Sequence, residues 1–277
     1  MSSSKNKKNN AVSQAASADK HDLYEQSVQD VEAEIDFIDD TYRALRGKKA
    51  TLYREDFCGT ASASCEWVRR RNGNHAVGVD FDRATLDWGL DHRVSLLSSE
   101  AQLRLKLVHG DVLEVTTELA DIVGAFNFSY FTFKDRATLS RYFRNVRKGL
   151  AEDGLFILDA FGGSEAHSEL KEKTKHDGFT YVWHQKRFEP VTGHMLAHIH
   201  FHFGDGSKMK KAFTYDWRLW TLPEIQELLL EAGFGKVSVY WEGTDEDGDA
   251  NGEFAPSDTG DADPAWVAYI VAEPAKG

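Results

Sequence analysis

A short run near residue 50 constrains the fold of this chain more than any other part of its sequence. Residues 52–61 read as an apolar strand, a turn around Gly59 and the start of a helix, and residues 76–80 read as a second strand ending in Asp80. Bare backbone N–H groups at a helix N-terminus can hold a charged group, and an acid at the end of the next parallel strand can accept the two hydroxyls of a ribose. The pattern predicts an α/β fold that binds an adenosine cofactor.

The glycines of this turn distinguish between two kinds of adenosine cofactor. A dinucleotide site needs G-x-G-x-x-G so that a pyrophosphate can approach the backbone closely. Here Phe57 stands where the first glycine would be, Gly59 is the one glycine of the turn, and Ala61 carries a Cβ. These side chains would crowd out a pyrophosphate, so the sequence disfavours a nicotinamide dinucleotide.

Residues 55–61, E-D-F-C-G-T-A, resemble the first motif of class I S-adenosylmethionine-dependent methyltransferases, which commonly runs acid-x-G-C-G-T-G. The acid and the C-G-T core are kept, while Phe57 and Ala61 replace two glycines and mark where we expect the loop to differ from a typical member. The resemblance covers residues 50–161 and 219–272. It implies a Rossmann-like, seven-stranded, mostly parallel sheet with helices on both faces, and S-adenosylmethionine as the cofactor.

The first part of the chain supports this architecture. Amphipathic helices alternate with apolar strands, which favours a mostly parallel sheet covered on both faces. Residues 1–20 have almost no apolar content and are predicted to be a disordered tail. Residues 21–161 then supply an N-terminal helix and the cofactor-binding half of the domain. After the first strand, further strands of that half are predicted at 76–80, 105–108, 121–126 and 155–158.

Residues 162–218 break the alternation. They contain no amphipathic helix but three stretches with strand character, at 179–188, 194–203 and 208–217. We interpret them as an antiparallel β meander, inserted after the fifth strand as a cap that forms the acceptor pocket. Residues 219–277 return to the main domain. They begin with the capping box of Thr221 and include two closing strands, at 236–241 and 266–272.

The acidic segment 242–263 carries nine acidic residues and no basic one. Such a run is usually a solvated loop. Asp245, Asp247 and Asp249 alternate like the start of an EF-hand calcium loop, but Gly248 is displaced from the required sixth position and no helix pattern flanks the run. We therefore predict a solvated loop and no metal site.

The resemblance assigns cofactor contacts to the carboxyl ends of successive strands, where open α/β sheets bind ligands. The first turn would surround the methionine half, Asp80 would accept both ribose hydroxyls, Phe81 would lie against the adenine, and Asp111 would bond its edge. The predicted cofactor-binding residues are Glu55, Phe57, Cys58, Gly59, Thr60, Ala61, Asp80, Phe81, Asp111, Val112, Phe126 and Asn127.

The acceptor site is less defined by the sequence. Residues 127–130, N-F-S-Y, keep the outer residues of an N-P-P-Y motif, which in amino methyltransferases holds a planar nitrogen. The alternative that we prefer is a small-molecule methyltransferase in which Asn127 binds the cofactor while Ser129 and Tyr130 shape the pocket. Arg54 either neutralises the neighbouring acids or holds a substrate carboxylate. The candidate substrate residues are Tyr24, Arg54, Ser129, Tyr130 and Trp217.

Three alternating histidines, His198, His200 and His202, share one face of a predicted strand because side chains alternate with period two. Three interpretations are open: a solvated or partner-facing strand, a general base or substrate contact, and a metal site. An amine or carboxylate acceptor needs mainly alignment, whereas a hydroxyl or carbon acceptor also needs a base. No single residue identifies itself as that base, so the catalytic residues stay open.

Composition narrows the class of partner. The net charge of −12 disfavours a nucleic-acid substrate, and no apolar run approaches the roughly 20 residues that span a bilayer. We expect a cytoplasmic methyltransferase that acts on a small molecule, and the sequence leaves open whether it forms a homo-oligomer. An RNA or protein methyltransferase and a non-catalytic S-adenosylmethionine-binding protein are the alternatives.

Overall fold

The computed structural model describes residues 12–245 and 250–275, in which twelve strands form two sheets. In chain order the strands are β1 Leu52–Asp56, β2 His75–Asp80, β3 Leu105–His109, β4 Ala120–Ala125, β5 Leu150–Gly162, β6 Leu170–His176, β7 Phe179–Glu189, β8 His194–Phe203, β9 Lys208–Arg218, β10 Phe234–Thr244, β11 Ala250–Pro256 and β12 Trp266–Pro274. The α-helices are α1 Gln14–Ser17, α2 Lys20–Val28, α3 Val31–Arg46, α4 Ser62–Arg70, α5 Arg83–His92, α6 Ser99–Gln102, α7 Arg136–Gly149 and α8 Leu222–Glu231.

The larger sheet has eight strands in the order β11-β10-β12-β5-β4-β1-β2-β3. Strands β1 to β5 run parallel to one another, and β12 runs antiparallel to both β5 and β10. Because the chain leaves β3 on one side of β1 and enters β4 on the other, the strand order reverses between β1 and β4. Ligands of open α/β sheets bind at such a point, outside the carboxyl ends of the strands.

Local sequence signals explain where several helices begin. Asp82 caps α5 by accepting from the N–H groups of Ala84 and Thr85, and Asp135 caps α7. The predicted capping box opens α8, with Thr221 and Glu224 bonding to each other's backbone. Such caps satisfy N–H groups that the first helical turn leaves free. The predicted capping box of Thr221 is therefore confirmed.

The smaller sheet is the inserted meander, in the order β6-β7-β8-β9 with all pairs antiparallel. Strands β7, β8 and β9 were predicted from the sequence, whereas β6 was not. Its residues read L-K-E-K-T-K-H, so only Leu170 gives an apolar signal. An edge strand of this kind is typically polar because one side of it faces solvent.

Two further segments differ from the predictions. Helix α1 lies before residue 20 and α2 begins at Lys20, so the tail predicted for residues 1–20 is ordered from Gln14 onward, while residues 1–11 lie outside the described range. The backbone N–H of Gln14 donates to Asp205 Oδ2 at 2.9 Å, which fastens this segment to the meander. In addition, the acidic segment supplies β11, which pairs with β10 and makes the sheet eight-stranded instead of seven-stranded.

The N-terminal helix α2 lies across the carboxyl edge of the sheet and is held there by Glu25. One carboxylate oxygen of Glu25 accepts from Thr60 Oγ1 at 2.5 Å and from Ser62 Oγ at 2.7 Å. The other oxygen pairs with Nε of Arg93 at 2.6 Å. Helix α2 is thereby bonded to the segment that joins β1 to α4 and to the end of α5.

Neither a membrane-spanning helix nor a metal-binding group is found in the parts of the chain that the structure describes. Within residues 12–245 and 250–275, no helix is long and apolar enough to cross a bilayer. Within the same ranges, no three His, Cys, Asp or Glu side chains are grouped so that they could hold an ion. Of the calcium candidates, Asp247 and Asp249 lie outside the described residues.

Candidate active site

The turn after β1 has the backbone shape of a glycine loop although it contains one glycine. Phe57, Gly59 and Ala61 have φ angles of 58°, 53° and 61°, all in the left-handed region. This region costs a residue with a Cβ about 1–2 kcal/mol. Phe57 and Ala61, which replace glycines of the resembled motif, therefore strain the loop. The loop nevertheless keeps the left-handed conformation that glycine favours.

The acid at the end of β2 ties this loop to the sheet. One carboxylate oxygen of Asp80, Oδ2, accepts from the N–H of Gly59 at 2.8 Å, and Oδ1 accepts from the N–H of Asp82 at 2.8 Å. Burial raises the pKa of Asp80. Each oxygen keeps a second lone pair, so the carboxylate can still accept from the two hydroxyls of a ribose.

A cavity of about 570 Å³, here called the strand-end cavity, opens above the loop. It brings together side chains and backbone from the ends of β1, β2, β3 and β4, together with α2 and β9. Of the predicted residues, those lining it are Phe57, Cys58, Gly59, Thr60, Asp80, Phe81, Asp111, Val112, Asn127, Tyr24, Ser129 and Trp217. More than half of the residues that line this cavity were therefore among those predicted from the sequence.

Three predicted cofactor contacts are not in that wall. Ala61 is fully buried, and Phe126 packs in the core with its ring 5.9 Å from that of Tyr269. Glu55 is also buried and accepts from the N–H and hydroxyl of Ser64 at 2.9 and 2.5 Å. Burial raises the pKa of Glu55 to about 7. Glu55 thus holds the start of α4 and supports the loop from beneath.

Arg54 is not a substrate residue. Its guanidinium is buried and donates to both carboxylate oxygens of Asp56, at 2.7 and 3.1 Å. Asp56 Oδ2 also accepts from the hydroxyl of Tyr142 at 3.0 Å. The prediction that Arg54 could hold a substrate carboxylate is wrong because its side chain points into the sheet packing. The alternative, that it neutralises a neighbouring acid, is the one observed.

The segment after β4 is clamped by an acid that the sequence analysis did not identify. Asn127 and Phe128 both have φ angles of 56°, and their N–H groups donate to the two oxygens of Asp159 at 2.8 and 2.9 Å. Burial raises the pKa of Asp159 to about 7. Two consecutive left-handed residues are costly, and this carboxylate holds them in place. A signal was present in the sequence, since a buried acid in the apolar strand β5 needs partners.

Tyr130 also supports this segment and does not shape the pocket as predicted. Its ring is fully buried, and its hydroxyl donates to the carbonyl of Asp159 at 2.7 Å. Ser129, the neighbouring candidate, does line the strand-end cavity, and its hydroxyl donates to the carbonyl of Phe126 at 2.8 Å.

A second cavity of about 380 Å³, here called the aromatic cavity, lies between the meander, β5 and the start of β12. Its polar side chains include Gln185 and three glutamates, Glu165, Glu172 and Glu242, and among the described residues no Lys, Arg or His lines it. The aromatic residues of its wall are Tyr24, Phe128, Phe161, Tyr181, Trp183, Tyr215, Trp217 and Trp266. The combination of electron-rich rings and carboxylates suits a positively charged group.

The two cavities share a wall made of Tyr24, Asn127, Tyr215 and Trp217. Burial raises the pKa of Tyr24 to about 12, so its phenol stays neutral. Tyr24 comes from α2, Asn127 follows β4, and Trp217 comes from β9. Residues brought together from three distant parts of the chain thus separate a site at the strand ends from a site under the meander.

Sequence reasoning missed Gln29. Gln29 lines the strand-end cavity, and its Oε1 atom is buried without a hydrogen-bond partner. An unpaired acceptor in a cavity wall can accept from a donor on a bound ligand. No sequence motif marks Gln29, because it reaches the site only through tertiary packing.

The three histidines of β8 lie away from both cavities. Ile199, the residue between two of them, faces the aromatic cavity, so His198, His200 and His202 occupy the opposite face of the sheet. A base or substrate role in the aromatic cavity therefore does not fit their position.

Comparisons with known proteins agree on the fold. No family model matches the chain, and no curated protein matches it either. Among solved structures, an S-adenosylmethionine-dependent methyltransferase from Clostridium acetobutylicum is 16% identical with a TM-score of 0.67, over 92% of this chain and 98% of that one. DesVI from Streptomyces venezuelae is 17% identical with a TM-score of 0.68, over 93% and 99%. CalS10, an amino pentose methyltransferase from Micromonospora echinaspora solved with S-adenosylmethionine bound, is 15% identical with a TM-score of 0.65, over 91% and 95%. The chain has the fold of these enzymes along nearly its whole length.

Proposed function

We propose that the chain is an S-adenosylmethionine-dependent methyltransferase that methylates a nitrogen of a small, basic amine. The observation that carries this proposal is the shared wall of the two cavities. A cofactor in the strand-end cavity and an acceptor in the aromatic cavity would meet at Asn127 and Trp217. Reactions between two bound molecules gain most of their rate from such alignment.

The residues of the strand-end cavity fit the cofactor. Asp80 offers a carboxylate to the ribose, and Phe81, 76% exposed, offers a ring face to the adenine. The unpaired Oε1 of Gln29 can accept from the ammonium group of the methionine half. When bound there, S-adenosylmethionine supplies a methyl group that is already electrophilic, so the protein needs no group to activate it.

The aromatic cavity fits an amine acceptor better than an acidic one. Its three glutamates would attract a protonated amine, while its rings would contact the attached carbon atoms. The amine must lose a proton before its lone pair can attack, and a glutamate in the wall can take that proton. The nitrogen lone pair would form the bond to the methyl carbon as the methyl–sulfur bond breaks, and the electron pair of that bond would stay on sulfur to give S-adenosylhomocysteine. The named acceptor of one solved neighbour, an amino pentose, has the same chemistry.

Calorimetry on the full chain tests the cofactor. We expect S-adenosylmethionine and S-adenosylhomocysteine to bind one per chain and NAD not to bind. NAD binding without a response to either adenosyl ligand would contradict the proposal. The acceptor is tested by measuring S-adenosylhomocysteine release with matched small amines, alcohols and carboxylic acids. Turnover confined to alcohols or acids would refute the amine and leave the cofactor assignment intact.

A further inference from the structure

The two faces of the meander sheet are chemically opposite. Side chains alternate between the faces of a strand, and the inner face carries Trp183, Ile199 and Tyr215 towards the aromatic cavity. The outer face forms a groove of about 650 Å³, here called the outer groove, with the histidines of β7 and β8 among its floor residues. The basic residues on its rim are Lys171, Lys173, Lys186, Lys208, Lys210 and Lys211.

The charge of this groove is unbalanced. All six lysines are exposed, no Asp or Glu lines the groove, and in the described ranges no ion pair involves any of them. By contrast, Lys48, Lys134 and Lys236 each pair with a carboxylate. The whole chain carries a net charge of −12. A concentration of unpaired positive charge on an acidic protein creates a local field that attracts anions.

The floor is organised by a strained bulge. Strands β8 and β9 change register between Ile199 and Phe201, and Lys211 opposite them has a φ angle of 53°. The N–H of Lys211 donates to His200 Nδ1 at 3.0 Å. This places the proton of neutral His200 on Nε2, which lies 3.4 Å from Nδ1 of His184. The Nε2–H of His184 is then left free to donate to a ligand.

The remaining histidines of the floor, His198 and His202, also favour the neutral ring because their pKa values are lowered. His198 is buried, and its Nδ1 lies 3.0 Å from the hydroxyl of Thr214. Burial and the neighbouring histidines lower the pKa of His200 to about 4, and burial with nearby lysines lowers the pKa of His202. Lowered pKa values favour neutral rings on the floor, and the Nε2–H of His184 lies among the lysines of the rim. Backbone strain that aims such donors is characteristic of ligand sites.

We infer that the outer groove binds a small polyanion that carries two or more phosphate groups. Its volume lies within the roughly 300–1,000 Å³ of small-molecule sites. Its lysines stand on β6, β7 and β9, so they flank the floor across about 14 Å of sheet. One carboxylate cannot reach both flanks, whereas linked phosphates can. Lysine ammonium groups bind phosphate as point charges.

Calorimetry with sodium triphosphate, on the full chain at low salt, tests this inference. We expect one site per chain with a dissociation constant below 1 mM, roughly, that weakens as salt is added. The triple variant K208Q/K210Q/K211Q should bind at least tenfold more weakly, by the order of magnitude expected when several point charges are lost. The matched control K48Q/K134Q/K236Q removes the same total charge elsewhere and should bind like the parent.

The histidines provide a second readout. Triphosphate in the groove should raise the pKa of His202, measured by NMR titration, since a neighbouring anion favours the charged ring. ADP in a parallel arm distinguishes a nucleotide from free polyphosphate, and either result supports a phosphate site. The inference is overturned if triphosphate does not bind, if both triple variants lose affinity equally, or if only a polyglutamate peptide binds. S-adenosylhomocysteine affinity, measured alongside, reports on the proposed function independently.

Discussion

The strand-end cavity and the aromatic cavity share four residues but are built in different ways. The strand-end cavity is lined by two backbone segments that contain left-handed residues, and of these residues Phe57, Gly59 and Asn127 are in its wall. Buried carboxylates hold these segments from beneath. The aromatic cavity is lined mainly by side chains that project from strands, most of them strands of the meander.

This difference shows how easily substitutions can alter the shape of each cavity. A backbone loop held by buried acids has one shape, so it suits a cofactor that never varies. A wall of side chains can be altered one residue at a time without disturbing the strand that carries it, so it suits an acceptor that differs between enzymes. Four predictions test the contrast, and they run from the largest expected effects to two small effects of similar size.

Asp159 and Glu55, the buried acids that support the strand-end cavity from beneath, should make the fold less stable as pH rises. Burial raises the folded-state pKa of Asp159 and of Glu55 to about 7 each, above the values of the unfolded chain. Between about pH 4 and 7 the folded chain keeps protons that the unfolded chain has lost, so stability is present at the acidic end and lost towards pH 7. The total loss is on the order of several kcal/mol.

Urea unfolding at pH 5 and pH 8 measures this loss. Asp159→Asn should reduce the pH dependence only in part, because burial also raises the pKa of Glu55 and of Glu34, which still titrate. Asp135→Asn, which alters an exposed helix cap, should retain the full dependence. An Asp159→Asn variant with the same pH dependence as the parent would show that Asp159 stays ionised in the folded chain.

Removing the carboxylate at the end of β2 should weaken cofactor binding strongly. Asp80→Ala removes a charged acceptor and should cost about 1.5–3 kcal/mol of binding free energy for S-adenosylhomocysteine. Calorimetry measures the change. Unchanged affinity would mean that the ribose does not bind at Asp80.

A substitution in the aromatic cavity should affect the binding of the acceptor and not that of the cofactor. Glu172→Gln should raise KM for a basic amine about two- to fivefold, as expected for one partly solvated charge, and should leave S-adenosylhomocysteine affinity unchanged. The matched control is Lys173→Gln, one residue along β6 on the opposite face. Equal effects of the two variants on KM would indicate a loss of sheet structure and not of a wall charge.

An effect of similar size concerns the strain in the loop. Ala61→Gly should stabilise the fold by about 0.5–1 kcal/mol, because relief of the left-handed backbone exceeds the entropy cost of glycine. Thermal unfolding measures it. Ala63→Gly, inside α4, should instead destabilise the fold by about 0.5–1 kcal/mol. If both variants destabilise equally, the loop stores no strain at Ala61.

The contrast also explains how far the sequence could predict the structure. Gly59 and Asp80 were found because a local motif places them at the strand ends. Asp159 and Gln29 were missed because their partners are distant in the sequence. The side on which Arg54 points follows from strand alternation, which puts it on the face of Asp56 and opposite Glu55. Strands β6 and β11 were missed because edge strands carry little apolar signal.

Helix α2 carries a consequence for the kinetics of a catalytic cycle. Tyr24 on this helix borders both cavities, and the neighbouring Glu25 fastens the helix to Thr60, Ser62 and Arg93. Displacing this one helix would remove a wall residue, Tyr24, from both cavities at once. We expect the spent cofactor and the methylated product to leave with a common rate constant, set by how fast the bonds of Glu25 break and re-form.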